Sequence, residues 1–213
     1  MTVVKKVLLV DLCGTLVDAN TTFGFLEDFL AEDQAYAGFR ARYSSYTSRV
    51  LNRLLPGDKR RLAAIRLLAN RREADLDQAA ARYLASVRII DDVVRRVEDL
   101  AKCHDNTLLL SSSLDFIVRA ACKQFGFDGW HATTLDYADG YCSGQVVTDL
   151  LGRKDRVIRD VYGSTSCTLV TDNRSDANCI RCVDHFVAVG DASDARSLGY
   201  WSGKVDDIVA WQQ

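Results

Sequence analysis

Val7-Leu8-Leu9-Val10-Asp11-Leu12-Cys13-Gly14-Thr15-Leu16-Val17-Asp18 is the stretch whose reading decides the fold. Four apolar residues in a row read as a strand covered on both faces, the kind found in a parallel sheet. The run ends in a carboxylate, and a Gly-Thr turn follows at once. Ligands of open α/β sheets sit outside the carboxyl ends of the strands, which gives Asp11 a site-facing position.

The same grammar recurs downstream. Asn106-Thr107-Leu108-Leu109-Leu110 reads as a second core strand ending in Ser111-Ser112-Ser113. Cys167-Thr168-Leu169-Val170 is a third, running into Thr171-Asp172-Asn173-Arg174-Ser175-Asp176, and Phe186-Val187-Ala188-Val189 is a fourth. Helical patterning separates them: Asp91 to Leu100, then Phe116 to Phe125 with Gly126 as C-cap, then a helix opening near Lys154 and carrying Val157, Ile158 and Val161. Asp139-Gly140 predicts a hairpin turn between 133–137 and 141–147. Strands alternating with helices predict a Rossmann-like, mostly parallel α/β sheet with right-handed crossovers. Between residues 19 and 89 the pattern is helical throughout, and Asn20, Thr21 or Thr22 can cap its first helix. The chain's only proline, Pro56, divides the stripe Phe39, Tyr43, Tyr46, Val50, Leu54 from Leu62, Ile65, Leu68, Ala69, and Asp58 is placed to cap the second of these helices. Residues 1–18 and 90–213 are therefore expected to form the core domain, and 19–89 an inserted all-helical cap.

With 213 residues the chain can bury a full core, and its 48% hydrophobic and 26% charged residues are ordinary for a globular protein. A net charge of −2 argues against nucleic acid as partner of the whole chain. No apolar run approaches the roughly 20 residues that span a bilayer. Residues 1–6 lead straight into the first strand, leaving no room for a signal peptide, so a cytoplasmic location is expected. Seven scattered cysteines give one suggestive spacing, Cys179-Ile180-Arg181-Cys182, which lacks a second pair and reads as structural. His104, His131 and His185 read as surface or packed residues.

In a parallel sheet the polar strand ends lie side by side, so Asp11, Ser111, Asp172 and Asp176 can converge. Carboxylates from two strands make an oxygen-rich site suited to Mg²⁺, which also takes substrate phosphate. A carboxylate can attack phosphorus only if the phosphoryl oxygens are screened, and a metal ion with a lysine provides that screening. A hydroxyl beside a helix N-terminus holds a phosphate oxygen.

Four motifs in this order resemble the haloacid dehalogenase (HAD) superfamily. Asp11-Leu12-Cys13-Gly14-Thr15 is similar to its first motif, usually Asp-x-Asp-x-Thr in the phosphatases. The helical insert after that motif and the later hairpin resemble the phosphoserine-phosphatase-type branch. The resemblance implies a Mg²⁺-dependent hydrolase of a small phosphomonoester, working through an aspartyl-phosphate at Asp11. It implies Ser111, with Ser112 beside it, as phosphate ligands and Lys154 as the screening lysine. It also implies Mg²⁺ held by Asp11, Asp172 and the backbone carbonyl of Cys13, with Asp176 in support. Thr21, Thr22 and Phe25 follow the first motif closely and are candidates for reading the leaving group.

Cys13 stands where the second Asp is expected, the group that protonates the leaving alcohol in the phosphatases. Three readings are open: a phosphatase for good leaving groups or one recruiting another acid such as Asp18, a dehalogenase- or phosphonatase-type hydrolase that needs no acid there, or a weakened protein kept as a binding module. Between Arg40 and Arg72 the insert carries a charge bias, with Arg40, Arg42, Arg49, Arg53, Lys59, Arg60, Arg61, Arg66, Arg71 and Arg72 against a single acid, Asp58. That bias fits a solvated face, steering of an anionic substrate, or contact with a peripheral membrane or protein partner. The sequence leaves the oligomeric state open.

Overall fold

The computed structural model describes residues 5–44 and 59–212. Tyr46, Val50, Leu54, Pro56, Asp58, Arg49 and Arg53 lie outside them. β1 (Lys6–Val10) is the centre of a seven-stranded sheet with β2 (Asn106–Leu114), β3 (Gly129–Ala138), β4 (Tyr141–Thr148), β5 (Ser166–Thr171), β6 (His185–Asp191) and β7 (Asp207–Trp211). The order is β4-β3-β2-β1-β5-β6-β7, and every pairing is parallel except β3 with β4. The fold is thus the α/β, mostly parallel arrangement that the sequence implies. β7 is an addition that the apolar patterning did not flag, and the predicted hairpin continues the sheet through β3.

Period-two alternation divides β1 between two apolar layers. Leu8 and Val10 face a cluster with Val170, Val187 and Val189, while Val7 and Leu9 face another with Cys167, Phe186, Ile158 and Trp201. The first layer is covered by α1 (Thr21–Phe29), α4 (Glu73–Ser86), α5 (Asp91–Ala101) and α6 (Asp115–Phe125), the second by α7 (Lys154–Tyr162) and α8 (Ala195–Trp201). α2 (Gln34–Ser44) and α3 (Lys59–Ile65) complete the described insert, with a short 3₁₀ turn at Arg66–Leu68.

Local signals set the ends of these elements. Asn20 caps α1 by accepting from the Phe23 N–H at 3.2 Å, and Gly126 closes α6 in the left-handed region. Asp139 and Gly140 both have positive φ, as a two-residue hairpin turn demands. The insert does not carry an apolar core apart from the sheet: Phe25 stacks on Phe29, meets Phe116 of α6 at 4.9 Å and meets Tyr83 of α4 at 6.0 Å. Full burial of a side chain of this size contributes about 1.5–3 kcal/mol. Phe25 is therefore a core residue, which removes it as a reader of the leaving group. Among the described residues no helix is long and apolar enough to cross a membrane.

Candidate active site

Register brings the predicted residues together. Val10 pairs with Leu109 on one side and Val170 on the other, so Asp11 emerges between the last residue of β5 and the stretch of β2 that leads into Ser111. Asp11, one step past β1, donates its N–H to the Val170 carbonyl at 2.9 Å and is 3% exposed.

Lys154, at the first turn of α7, is the electrostatic centre. Its Nζ lies 2.6 Å from Asp11 Oδ2 and 2.7 Å from Asp176 Oδ2, and the residue is only 1% exposed. Burial pulls the ammonium's pKa down, but the two carboxylates outweigh it and hold the charge firmly in place. Thr171 Oγ1 donates to Asp176 Oδ2 at 2.8 Å and stands 3.3 Å from Asp11 Oδ2. Asp176 is thus committed to Lys154 and Thr171, in the supporting position rather than facing outward.

Asp172 is held separately. Thr15 Oγ1 donates to its Oδ1 at 2.9 Å and accepts the Asp172 N–H at 3.0 Å. Gly14, at φ +69°, lets the carboxylate approach the turn, because a Cβ there would come within 2.2 Å of Asp172 Oδ2. Burial, and then the negative charge of Asp11, push the Asp172 carboxyl up to about 7. Two crowded acids of this kind are short of positive charge. The Leu12 carbonyl takes the N–H groups of Thr15, Leu16 and Val17, which leaves the Cys13 carbonyl outside the turn's hydrogen bonds. Asp11, Asp172 and that carbonyl form an all-oxygen donor set that fits Mg²⁺. Among the described residues no three His, Cys, Asp or Glu side chains cluster as a ready-made cage, so a cation here would depend on backbone and substrate oxygens as well.

The third part of the site is neutral. Cys13 Sγ lies 2.9 Å from both Thr21 Oγ1 and Ser113 Oγ, those two oxygens are 2.5 Å apart, and the Thr21 N–H donates to the sulfur at 3.4 Å. Burial, and then the Asp11 charge, raise the thiol's pKa, so Cys13 is protonated at neutral pH. The Thr21 N–H at the start of α1 points at this sulfur, a position where the helix dipole would favour an anion.

The serine triplet sits within β2 rather than after it. Leu110 pairs with His131 and Leu114 with Thr133, so four residues of β2 span two of β3 and the serines bulge from the ladder. Ser111 and Ser113 are buried and share a face; Ser111 Oγ accepts the Ser113 N–H at 3.3 Å. Ser112 lies between them, half-buried, and turns its carbonyl away to Arg61 and Thr133. Ser113 was not among the predicted site residues, although the spacing of two from Ser111 carries the signal. Thr15 and Thr171 were likewise missed. Thr22 is buried on α1 beside the Cys13–Thr21–Ser113 group but outside its hydrogen bonds. Asp18 is exposed and lies 3.8 Å from Arg88 rather than at the site.

Several residues of the basic run are engaged elsewhere. Arg40 lies 3.2 Å from Glu27, Arg71 pairs with Asp33 at 2.5 Å, and Arg60 sits over the Phe23 ring at 4.8 Å. Arg61, read as part of a surface face, is buried at 4% exposure and pairs with Asp149 at 2.9 Å. His104 bonds the Leu100 carbonyl and Thr168, His131 bonds Tyr162, and Cys179 and Cys182 are free thiols on a 3₁₀ helix.

The sequence profile of haloacid dehalogenase-like hydrolases matches residues 8–181. Among solved structures, a protein of unknown function from Bordetella pertussis Tohama I superposes with a TM-score of 0.75 at 17% identity, over 96% of this chain and 98% of that one. A phosphoserine phosphatase, solved as a phospho-aspartyl intermediate analogue, gives 0.61 at 17% identity over 96% and 93%. Cytosolic 5′-nucleotidase IIIB bound to cytidine gives 0.63 at 15% identity over 97% and 80%. At these identities the likeness is one of fold. The comparison with curated proteins found no match.

Proposed function

The chain belongs to the haloacid dehalogenase-like hydrolase family, and from that premise we propose that it hydrolyses a small phosphomonoester through an aspartyl-phosphate at Asp11. The observation that carries the reading is the buried Asp11–Lys154–Asp176 arrangement beside Ser111. An Asp11 oxygen forms the bond to phosphorus while the bond from phosphorus to the leaving oxygen breaks, and that oxygen departs with the electron pair. Lys154 lowers the repulsion between the carboxylate and the phosphoryl oxygens, and Ser111 holds one of those oxygens. Asp11, Asp172 and the Cys13 carbonyl would hold Mg²⁺, which supplies further positive charge against the phosphoryl group. Asp176 and Thr171 keep Lys154 and Asp11 in register.

The neutral Cys13 thiol decides what kind of phosphomonoester this is. A thiol is a weak hydrogen-bond donor, and burial further raises this one's pKa, so it gives the leaving oxygen little protonic help. Substrates whose leaving group is stable as an anion are therefore favoured. The same observation supports a second reading, a weakened family member kept for binding. A dehalogenase-type reaction on a carboxylate substrate is disfavoured because Asp11 and Asp172 already crowd two acids together, an arrangement that suits a cation with a phosphoryl group rather than a further carboxylate alone.

Mg²⁺-dependent hydrolysis of a phosphomonoester panel, with Asp11→Asn as control, tests the proposal. Activity on activated aryl phosphates that vanishes in Asp11→Asn supports it. No activity on any member contradicts it and favours the binding reading, while halide release without metal would favour the dehalogenase.

A further inference from the structure

Because Ser111–Ser113 leave the β2–β3 ladder, the Ser112 carbonyl loses its strand partner inside the protein, where an unmet acceptor is costly. The insert fills the gap. Arg61 of α3 donates from Nη2 to the Ser112 carbonyl at 2.9 Å and to Thr133 Oγ1 at 2.9 Å, and from Nη1 to Asp149 Oδ1 at 2.9 Å. Thr133 Oγ1 in turn donates to the Ser112 carbonyl at 2.9 Å and accepts the Leu150 N–H at 3.2 Å. Asp149 Oδ1 accepts the Leu151 N–H at 3.0 Å.

One guanidinium therefore grips two segments that carry site residues. The Ser112–Ser113 peptide is held at both ends: its carbonyl by Arg61, its N–H on Ser111 Oγ. Asp149, Leu150 and Leu151 open the loop that delivers Lys154 to α7. A fixed, planar, multidentate donor suits this task, whereas a lysine has a single nitrogen to offer.

We propose that Arg61 is a positioning residue: from the helical insert it sets the Ser111–Ser113 bulge and the loop before Lys154, so that phosphoryl binding depends on the insert being docked. Its catalytic consequence rests on the phosphatase reading of the site; the clamp itself does not. Arg61 acts here through Ser111 and Lys154 and not by touching the leaving group.

The test measures kcat and KM for p-nitrophenyl phosphate, inhibition by orthovanadate, and hydrogen–deuterium exchange of residues 106–114. The wild type is compared with Arg61→Ala, Arg61→Lys and Asp149→Asn. Orthovanadate resembles the transferring group and carries no leaving group, so it reports phosphoryl positioning alone. In Arg61→Ala, kcat and orthovanadate affinity should fall together by roughly ten- to a hundred-fold with KM little changed, since small misplacements at a reacting centre have effects of that order. Added guanidinium ion should restore part of the loss, Arg61→Lys should fall between, and Asp149→Asn should follow in the same direction. Exchange across 106–114 should quicken in each variant whether or not the protein turns over.

A rise in KM alone, with orthovanadate affinity kept and Asp149→Asn silent, would overturn the proposal and make Arg61 a leaving-group ligand. Unchanged exchange and unchanged inhibition would overturn it outright. A wild type that neither hydrolyses the ester nor binds orthovanadate sinks the phosphatase reading instead, and the exchange data still decide the clamp.

Discussion

Two halves of the site are built on opposite principles. The carboxylate half, Asp11, Lys154, Asp172 and Asp176, is made entirely from strand ends and two helix starts of the sheet domain, and its Asp11–Lys154–Asp176 core is ionic and buried. The thiol half, Cys13, Thr21 and Ser113, straddles the sheet and the first helix of the insert and is neutral. For the proposed phosphoryl transfer, the two halves provide unequally. Attack on phosphorus needs fixed charge, and the first half has it. Departure and the later activation of water need a proton carrier, and the second half offers only a thiol and two hydroxyls.

The comparison breaks most completely at Asp11. Asp11→Asn keeps the shape but removes the nucleophile, and no hydrolysis should remain in a steady-state assay. Substantial residual turnover would move the chemistry elsewhere. Cys13→Asp tests the other half. Thr21 Oγ1, Thr21 N–H and Ser113 Oγ already surround that position with groups able to donate to a carboxylate. Turnover of alkyl phosphates should rise toward the roughly 10²–10⁴-fold that general acid–base help provides. A flat or lower rate would assign the thiol a role of its own.

Lys154→Met separates the halves by stability. It leaves Asp11 and Asp176 buried without their partner, so urea unfolding should show a loss of about 3–5 kcal/mol. Cys13→Ser, which exchanges one neutral group for another, should change stability far less.

The smallest effect is one of pH. With its carboxyl raised to about 7 by burial and by Asp11, Asp172 keeps a proton in the folded protein that an unfolded chain releases near pH 4. Folded protein binds more protons in that interval, so this group's contribution to stability declines as pH rises from about 4 to about 7 and is level above. The thermal midpoint of Asp172→Asn, measured without divalent cation, should lack that decline. Mg²⁺ should raise the wild-type midpoint most above pH 7 and leave Asp172→Asn nearly unmoved.

Much of the carboxylate half was legible because each member ends an apolar run or starts an amphipathic helix, where a polar residue is conspicuous. The neutral half was harder. Ser113 is visible only if the triplet is read with the alternation of a strand, and Thr15 and Thr171 matter through partners 157 and 5 residues away. Arg61 was illegible: Lys59-Arg60-Arg61 looks like the solvated start of a helix, and the reasons to bury the third residue, a carbonyl freed by the bulge in β2 and the carboxylate of Asp149, come from distant parts of the chain. Phe25 misled because its nearness to the first motif hid the helical face it shares with the core. The seventh strand, Asp207–Trp211, is short and half-buried, with little contrast to read.

The site pairs an ionic, prebuilt attack with an unassisted departure. The dependence of kcat/KM on leaving-group pKa, measured over a series of aryl phosphates for the wild type and for Cys13→Asp, separates an assisted from an unassisted departure. kcat/KM should fall steeply with rising leaving-group pKa in the wild type and only shallowly in Cys13→Asp. Equally shallow slopes in both would contradict an unassisted departure, because they would mean that the wild-type site already protonates its leaving group.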